Sequence, residues 1–91
     1  MVDHFINGAA VSIGGVSSDL FNPSTGAKIG SVLNAGDQEL DAAARAAHEA
    51  FDSWSATGLG HRAEILLACR QMIIEHRNAL IEICTVEAGK T

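Results

Sequence analysis

Apolar positions follow two different periods along this 91-residue chain, and the change falls at about Gly36. Ahead of it the apolar runs are short and punctuated by turn residues. "HFINGAAV" (His4–Val11) places Asn7-Gly8 between two apolar pairs, the strongest short-range hairpin signal, because both central residues of a type I′ turn take positive φ. "SIGGVSS" reads as a flexible connection. "DLFN" and "AKIGSVL" then read as two more strands around "NPSTG". There Pro23 fixes φ, Asn22 forms an Asx-turn and Gly26 takes the positive-φ corner. Residues 1–36 are thus predicted to form a small antiparallel β meander.

From Asp37 the period becomes helical. Leu40, Ala43, Ala44, Ala47, Phe51 and Trp54 make one thin apolar stripe along "DQELDAAARAAHEAFDSW". Gly36 or Asp37 is its cap, and Glu39 and Asp41 suit the positive end of the helix dipole. "SATGLG" ends this helix. A second runs through "HRAEILLACRQMIIEH", burying Ile65, Leu66, Cys69, Met72 and Ile73, and a third starts near Asn78 as N-cap. The fold class predicted is α+β, or the opening fragment of an α/β fold: a β meander over 1–36 and three amphipathic helices over 37–91.

Composition narrows what such a unit does. A hydrophobic fraction of 47% excludes a disordered tail, while three Phe, one Trp and no Tyr leave aliphatic residues and alanine to fill the core. Six Lys and Arg against eleven Asp and Glu give −5, a field that repels nucleic acid and anionic lipid. "MVDHFINGAAVSIGG" has neither the basic start nor the unbroken apolar run of a signal peptide or membrane span. A cytoplasmic, membrane-free protein is expected, with Cys69 and Cys84 as unpaired, hydrophobe-like thiols.

The chemistry-bearing residues do not assemble into a site. His4, His48, His61 and His76 lie on separate elements, with no H-E-x-x-H or C-x-x-C spacing for a metal. Glu75 and His76 are adjacent, so on a helix they point about 100° apart. Glu82 and Glu87 read as solvated or pairing residues. Cys69 and Cys84 lie mid-helix among aliphatics, without the basic neighbour or helix N-terminus that activates a thiolate. Gly14-Gly15 and Gly58-x-Gly60 do not form G-x-G-x-x-G. Gly89-Lys90-Thr91 matches the tail of a phosphate-binding loop. That loop needs a glycine where Cys84 stands and a strand where "NALIEICTVEA" is helical, so Gly89 is read as a left-handed helix cap. No catalytic, cofactor-binding or metal-ligating residue is assigned.

The order of motifs is nonetheless specific. "FINGAAV", "FNPSTGAKIGSV", "ELDAAARAAHEAFDSWSATGLGHRAEIL" and "RNALIEICTVEAGKT" together resemble the N-terminal portion of the aldehyde dehydrogenase superfamily, over essentially residues 4 to 91. Within it the opening is most similar to the coenzyme A-acylating methylmalonate-semialdehyde dehydrogenase group. The resemblance implies an NAD(P)-dependent parent that oxidises an aldehyde by thiolate attack and hydride transfer, releasing a thioester to water or coenzyme A. It implies that Glu87, Gly89 and Lys90 close a helix, that Thr91 interrupts a longer subunit, and that cofactor cleft, glutamate base, G-x-C loop and oligomerisation arm lie downstream. The partners implied are the rest of the subunit and further copies of it. Some members bind a monovalent cation through carbonyls corresponding to Leu20 and Phe21, but Leu20 lacks the hydroxyl that often helps, and no such site is assigned. A chain of this kind is expected to be inactive alone. The second expectation is a stand-alone interaction module that retains the fold without catalysis.

Overall fold

The computed structural model describes residues 1–13 and 15–91, as four strands followed by three helices. Strands β1 (His4–Ile6) and β2 (Ala9–Val11) pair antiparallel in the register His4↔Val11, Phe5↔Ala10, Ile6↔Ala9. Asn7 and Gly8 turn between them with φ of 52° and 77°, the left-handed pair that the Asn-Gly dipeptide favours. Strands β3 (Ser17–Phe21) and β4 (Lys28–Leu33) form the second antiparallel pair. Their turn is the expected one. Asn22 Oδ1 accepts from Ser24 N–H at 2.8 Å and Thr25 N–H at 3.3 Å, and Gly26 sits at φ 71°.

The strands do not join as one continuous meander. Two separate two-stranded sheets form instead, and β3 begins at Ser17, inside the stretch expected to be connection. Gly14 of the Gly14-Gly15 pair lies outside the described residues. What flanks β4 on its other side is Val2, in an isolated parallel bridge to Val32. Val2 N–H donates to Ser31 O at 2.8 Å and Leu33 N–H donates to Val2 O at 3.0 Å.

Helix α1 (Asp37–Ala56) starts from Gly36. Helix α2 (Leu59–Glu75) starts two residues before the predicted stretch, and α3 (Arg77–Ala88) follows it across His76. His76, not Asn78, is the break: its φ/ψ of −99°/15° leaves helical geometry for one residue while Leu80 N–H still reaches His76 O at 3.0 Å. Asn78 is one residue inside α3.

These elements make an open slab of 47 × 34 × 15 Å. The helix faces have no second layer across them, so no core is enclosed. The radius of gyration of 16.9 Å exceeds the roughly 12 Å of a compact 91-residue domain. Leu33 is accordingly the one buried apolar residue among the described residues. The faces predicted as buried are open: Leu40, Phe51, Trp54, Ile65, Leu66, Met72 and Ile73 are all exposed. On α1 the better-covered positions are Glu39, Ala42 and Ala46, beside the predicted stripe rather than on it.

Candidate functional site

Three places hold the residues that the sequence offered for chemistry, and the glycine-lysine-threonine end is the first. Helix α3 closes on Gly89, left-handed at φ 65° and ψ 25°. Gly89 N–H donates to Thr85 O at 3.1 Å and Lys90 N–H donates to Cys84 O at 3.4 Å. The amides that a phosphate would need are therefore turned back into the helix. A helix C-terminus also presents the negative end of the dipole, the reverse of an anion cradle. The space beside the glycine is tight too. A Cβ on Gly89 would lie 3.1 Å from Pro23 Cγ, because the cap rests on the "NPSTG" turn.

Beside this cap runs a groove of about 260 Å³ between α2 and α3, lined by Ile73, Leu80, Ile81 and Cys84 with Arg77 and Lys90 at its edge. Its walls are aliphatic, and Cys84 is a free, exposed thiol, as is Cys69. Neither thiol is enclosed by aliphatic neighbours as the periodicity suggested, because nothing in the slab covers α2 or α3.

The histidines stay apart. His61 Nδ1 lies 3.4 Å from Glu64 Oε2 on the surface, and His76 Nδ1 bonds Met72 O at 2.9 Å across the α2–α3 break. Glu75 accepts from Gln71 Nε2 at 3.0 Å. No group of three or more His, Cys, Asp or Glu able to hold a metal is found among the described residues.

The third place is the start of α1. Glu39 is buried, and its Oε2 accepts the Gly36 N–H at 2.7 Å, one arm of a capping box whose other arm glycine cannot supply. Its own backbone N–H, then that of Gly36, hold the carboxyl below its ordinary value. Burial opposes this and the nearby His4 assists. His4, on β1, lies half-buried against the same helix turn. The G-x-x-E spacing carried this signal.

A fourth arrangement escaped the sequence reading. Arg62, in the first turn of α2, donates from Nε to Thr57 O at 3.0 Å and from a terminal nitrogen to Ser55 O at 2.8 Å. Its guanidinium also lies 5.5 Å from the centre of the Trp54 ring. One side chain thus satisfies two carbonyls left open where α1 ends. The signal was the W-x₇-R spacing across a short turn, which has no local periodicity.

None of these arrangements puts a nucleophile, a base and an electrophile together. Residues 13–91 match the model of the aldehyde dehydrogenase family. The chain belongs to that family. It is 38% identical over 88 residues to a malonate-semialdehyde dehydrogenase of Pseudomonas aeruginosa, covering 97% of this chain and 18% of that protein. It is 41% identical over 70 residues to malonate-semialdehyde dehydrogenase 2 of Geobacillus kaustophilus, covering 77% and 14%. Against the mitochondrial succinate-semialdehyde dehydrogenase of Rattus norvegicus the figures are 37% over 71 residues, 78% and 14%. The chain thus spans less than a fifth of the length of these dehydrogenases. The α+β order of strands and then helices agrees with the opening part of an aldehyde dehydrogenase fold. No helix among the described residues is long and apolar enough to cross a membrane.

Proposed function

We propose that residues 1–91 are the N-terminal portion of an NAD(P)-dependent semialdehyde dehydrogenase, and that they serve it as scaffold rather than as reacting groups. The observation that carries this reading is α2. Ile65, Leu66, Met72 and Ile73 occupy one side, while Leu67 and Ile74 lie about 180–200° round from Ile65, and all are exposed. A helix apolar over that much of its circumference belongs inside a larger protein. Residues 1–36 and 37–91 are then one partial unit of the subunit's cofactor-binding portion rather than two domains.

The glycine-lysine-threonine segment turns its amides back into α3, which supports placing the cofactor's binding groups, and with them the catalytic thiol, in the rest of the subunit. The names of the relatives support a short aldehyde that also bears a carboxylate, such as malonate or succinate semialdehyde, and the resemblance of the opening segment adds methylmalonate semialdehyde. With the methylmalonate type, coenzyme A is the acyl acceptor. The parent works as a homo-oligomer in the cytoplasm.

The test is kinetic. The whole protein that carries this chain is expected to reduce NAD or NADP with these semialdehydes, and addition of coenzyme A reveals whether the acyl group leaves to it. The 91 residues alone are expected to give no turnover and no measurable NAD binding. Turnover by the purified 91-residue chain that disappears in Cys84→Ala would overturn the scaffold role.

A further inference from the structure

The backbone nitrogen after an asparagine can close on that asparagine's own carboxamide, making a five-membered succinimide. Closure needs an N–H at the next residue, room beside that nitrogen and a free carboxamide. The chain has four asparagines, and the structure separates them. Asn22 precedes Pro23, which has no N–H to attack with, and its Oδ1 is held by Ser24 and Thr25 N–H. Asn34 precedes Ala35, and its Nδ2 donates to Ser18 Oγ at 2.7 Å. Asn78 precedes Ala79 inside α3, where helical φ and ψ fix the peptide. At Asn7 the next residue is Gly8, exposed, with nothing within 4 Å of where a Cβ would stand. The peptide between the two is also free to turn. Neither Asn7 O nor Gly8 N–H takes part in a backbone hydrogen bond among the described residues, since the ladder ends at Ile6↔Ala9. Asn7 at 52° and Gly8 at 77° have the φ pair of a type I′ turn. Flipping this one peptide gives the type II′ turn that hairpins also accept, with Asn7 ψ at about −120°. That rotation brings Gly8 N to the Cβ side of Asn7.

We propose that Asn7-Gly8 is a self-modifying site, and that its modification unlocks the β1–β2 hairpin from α1. Gly8 N gives its proton to a solvent base and attacks Asn7 Cγ. The new C–N bond forms as the bond from Cγ to the amide nitrogen breaks, and ammonia leaves with a proton taken from water. Water then adds to either carbonyl of the succinimide. Opening at one gives aspartate, and opening at the other gives isoaspartate, whose backbone runs through Cβ and is one methylene longer. The aspartate product keeps an Asp-Gly turn, which a hairpin accepts. The isoaspartate product does not, because the turn fixes the register, and an extra backbone carbon in a two-residue turn moves Ile6 out of step with Ala9. Ile6 and Asn7 line one cleft with Ala43, Ala46 and Ala50 of α1, so loss of the turn frees that helix face.

The experiment is timed storage of the whole native protein in mildly alkaline buffer, followed by peptide mapping by mass spectrometry and an isoaspartyl methyltransferase assay. The mass gain of amide to acid is expected at Asn7 first, at least about tenfold faster than at Asn34 or Asn78, with isoaspartate in the same peptide. Amide hydrogen exchange at Ile6 and Ala9 is expected to lose its protection in the modified fraction. Asn7→Gly keeps a turn of two positive-φ residues but removes the carboxamide, and is expected to show neither change on storage. Equal rates at Asn7, Asn34 and Asn78, or no conversion at Asn7, overturns the site. Isoaspartate at Asn7 with Ile6 and Ala9 still protected overturns the unlocking, as does an equal loss of protection in stored Asn7→Gly.

Discussion

At the scale of single residues, Glu39 and Gly89 each do one thing that a near-isostere cannot. Glu39 holds the Gly36 amide with a carboxyl kept below its ordinary value of 4.5, first by its own backbone N–H and then by that of Gly36. A carboxyl depressed in the folded state contributes stability that is complete above the unfolded value and lost as pH falls through the folded one. Urea midpoints at about pH 7 and about pH 3 are thus expected to differ by less in Glu39→Gln than in the native sequence. An equal difference would remove Glu39 from the acid response. Gly89 is held at φ 65° against Pro23. Gly89→Ala puts a Cβ into the left-handed region, at about 1–2 kcal/mol, and 3.1 Å from Pro23 Cγ. Loss of melting temperature in that variant, and none in Gly60→Ala, where a Cβ meets open space, is the expected pair of results.

Between elements, the joint from α1 to α2 depends on Arg62. Its two bonds to the carbonyls of Ser55 and Thr57 and its place over Trp54 hold the end of one helix to the start of the next. Removing a half-buried charged donor from two acceptors costs about 1.5–3 kcal/mol, so Arg62→Ala is expected to lower stability by that much. Arg62→Lys is expected to recover little of it, since an ammonium cannot reach both carbonyls with the planar fork. Full rescue by lysine, read by denaturant melts, would mean that charge alone holds the joint.

The same scale shows what the sequence could reveal. Asn7-Gly8, "NPSTG" and Gly89 were legible because each turn is specified by the residues that make it, and their φ values and Asx bonds agree. The helices were legible from period, to within about two residues. Val2 beside Val32, Gly89 on Pro23 and Arg62 on Ser55 were not, because pairing between distant residues leaves no local pattern. The stripe from Leu40 to Trp54 showed that a face of α1 wants cover, but a period cannot say what covers it. In this chain β1 takes the neighbouring positions and the stripe stays open. The candidate site followed the same logic: Gly89-Lys90-Thr91 could be set aside as a phosphate loop from Cys84 and the helical residues before it, whereas the approach of His4 to Glu39 needed the fold.

For the whole molecule the deciding quantity is apolar burial. A 15 Å slab with Leu33 as its buried apolar residue has little hydrophobic burial to set against the conformational entropy of 91 residues. Full burial of a large aliphatic side chain contributes about 1.5–3 kcal/mol, and ordering one residue's backbone costs about 1–2 kcal/mol. The helices can form locally and Arg62 ties α1 to α2, but little apolar burial within the slab fixes them against one another. Cys69 and Cys84 report on that directly, because both are exposed here and both lie on the helix faces that a covering polypeptide would bury. In the 91-residue chain alone, both thiols are expected to react rapidly with a thiol reagent, with helical circular dichroism, dye binding and a shallow urea transition. Under the proposed scaffold role, the same thiols in the whole protein are expected to be protected by an amount that tracks its global stability. Equal reactivity in the two settings would show that α2 and α3 remain a free surface, and a sharp urea transition of the isolated chain would make it a self-sufficient module rather than one part of a subunit.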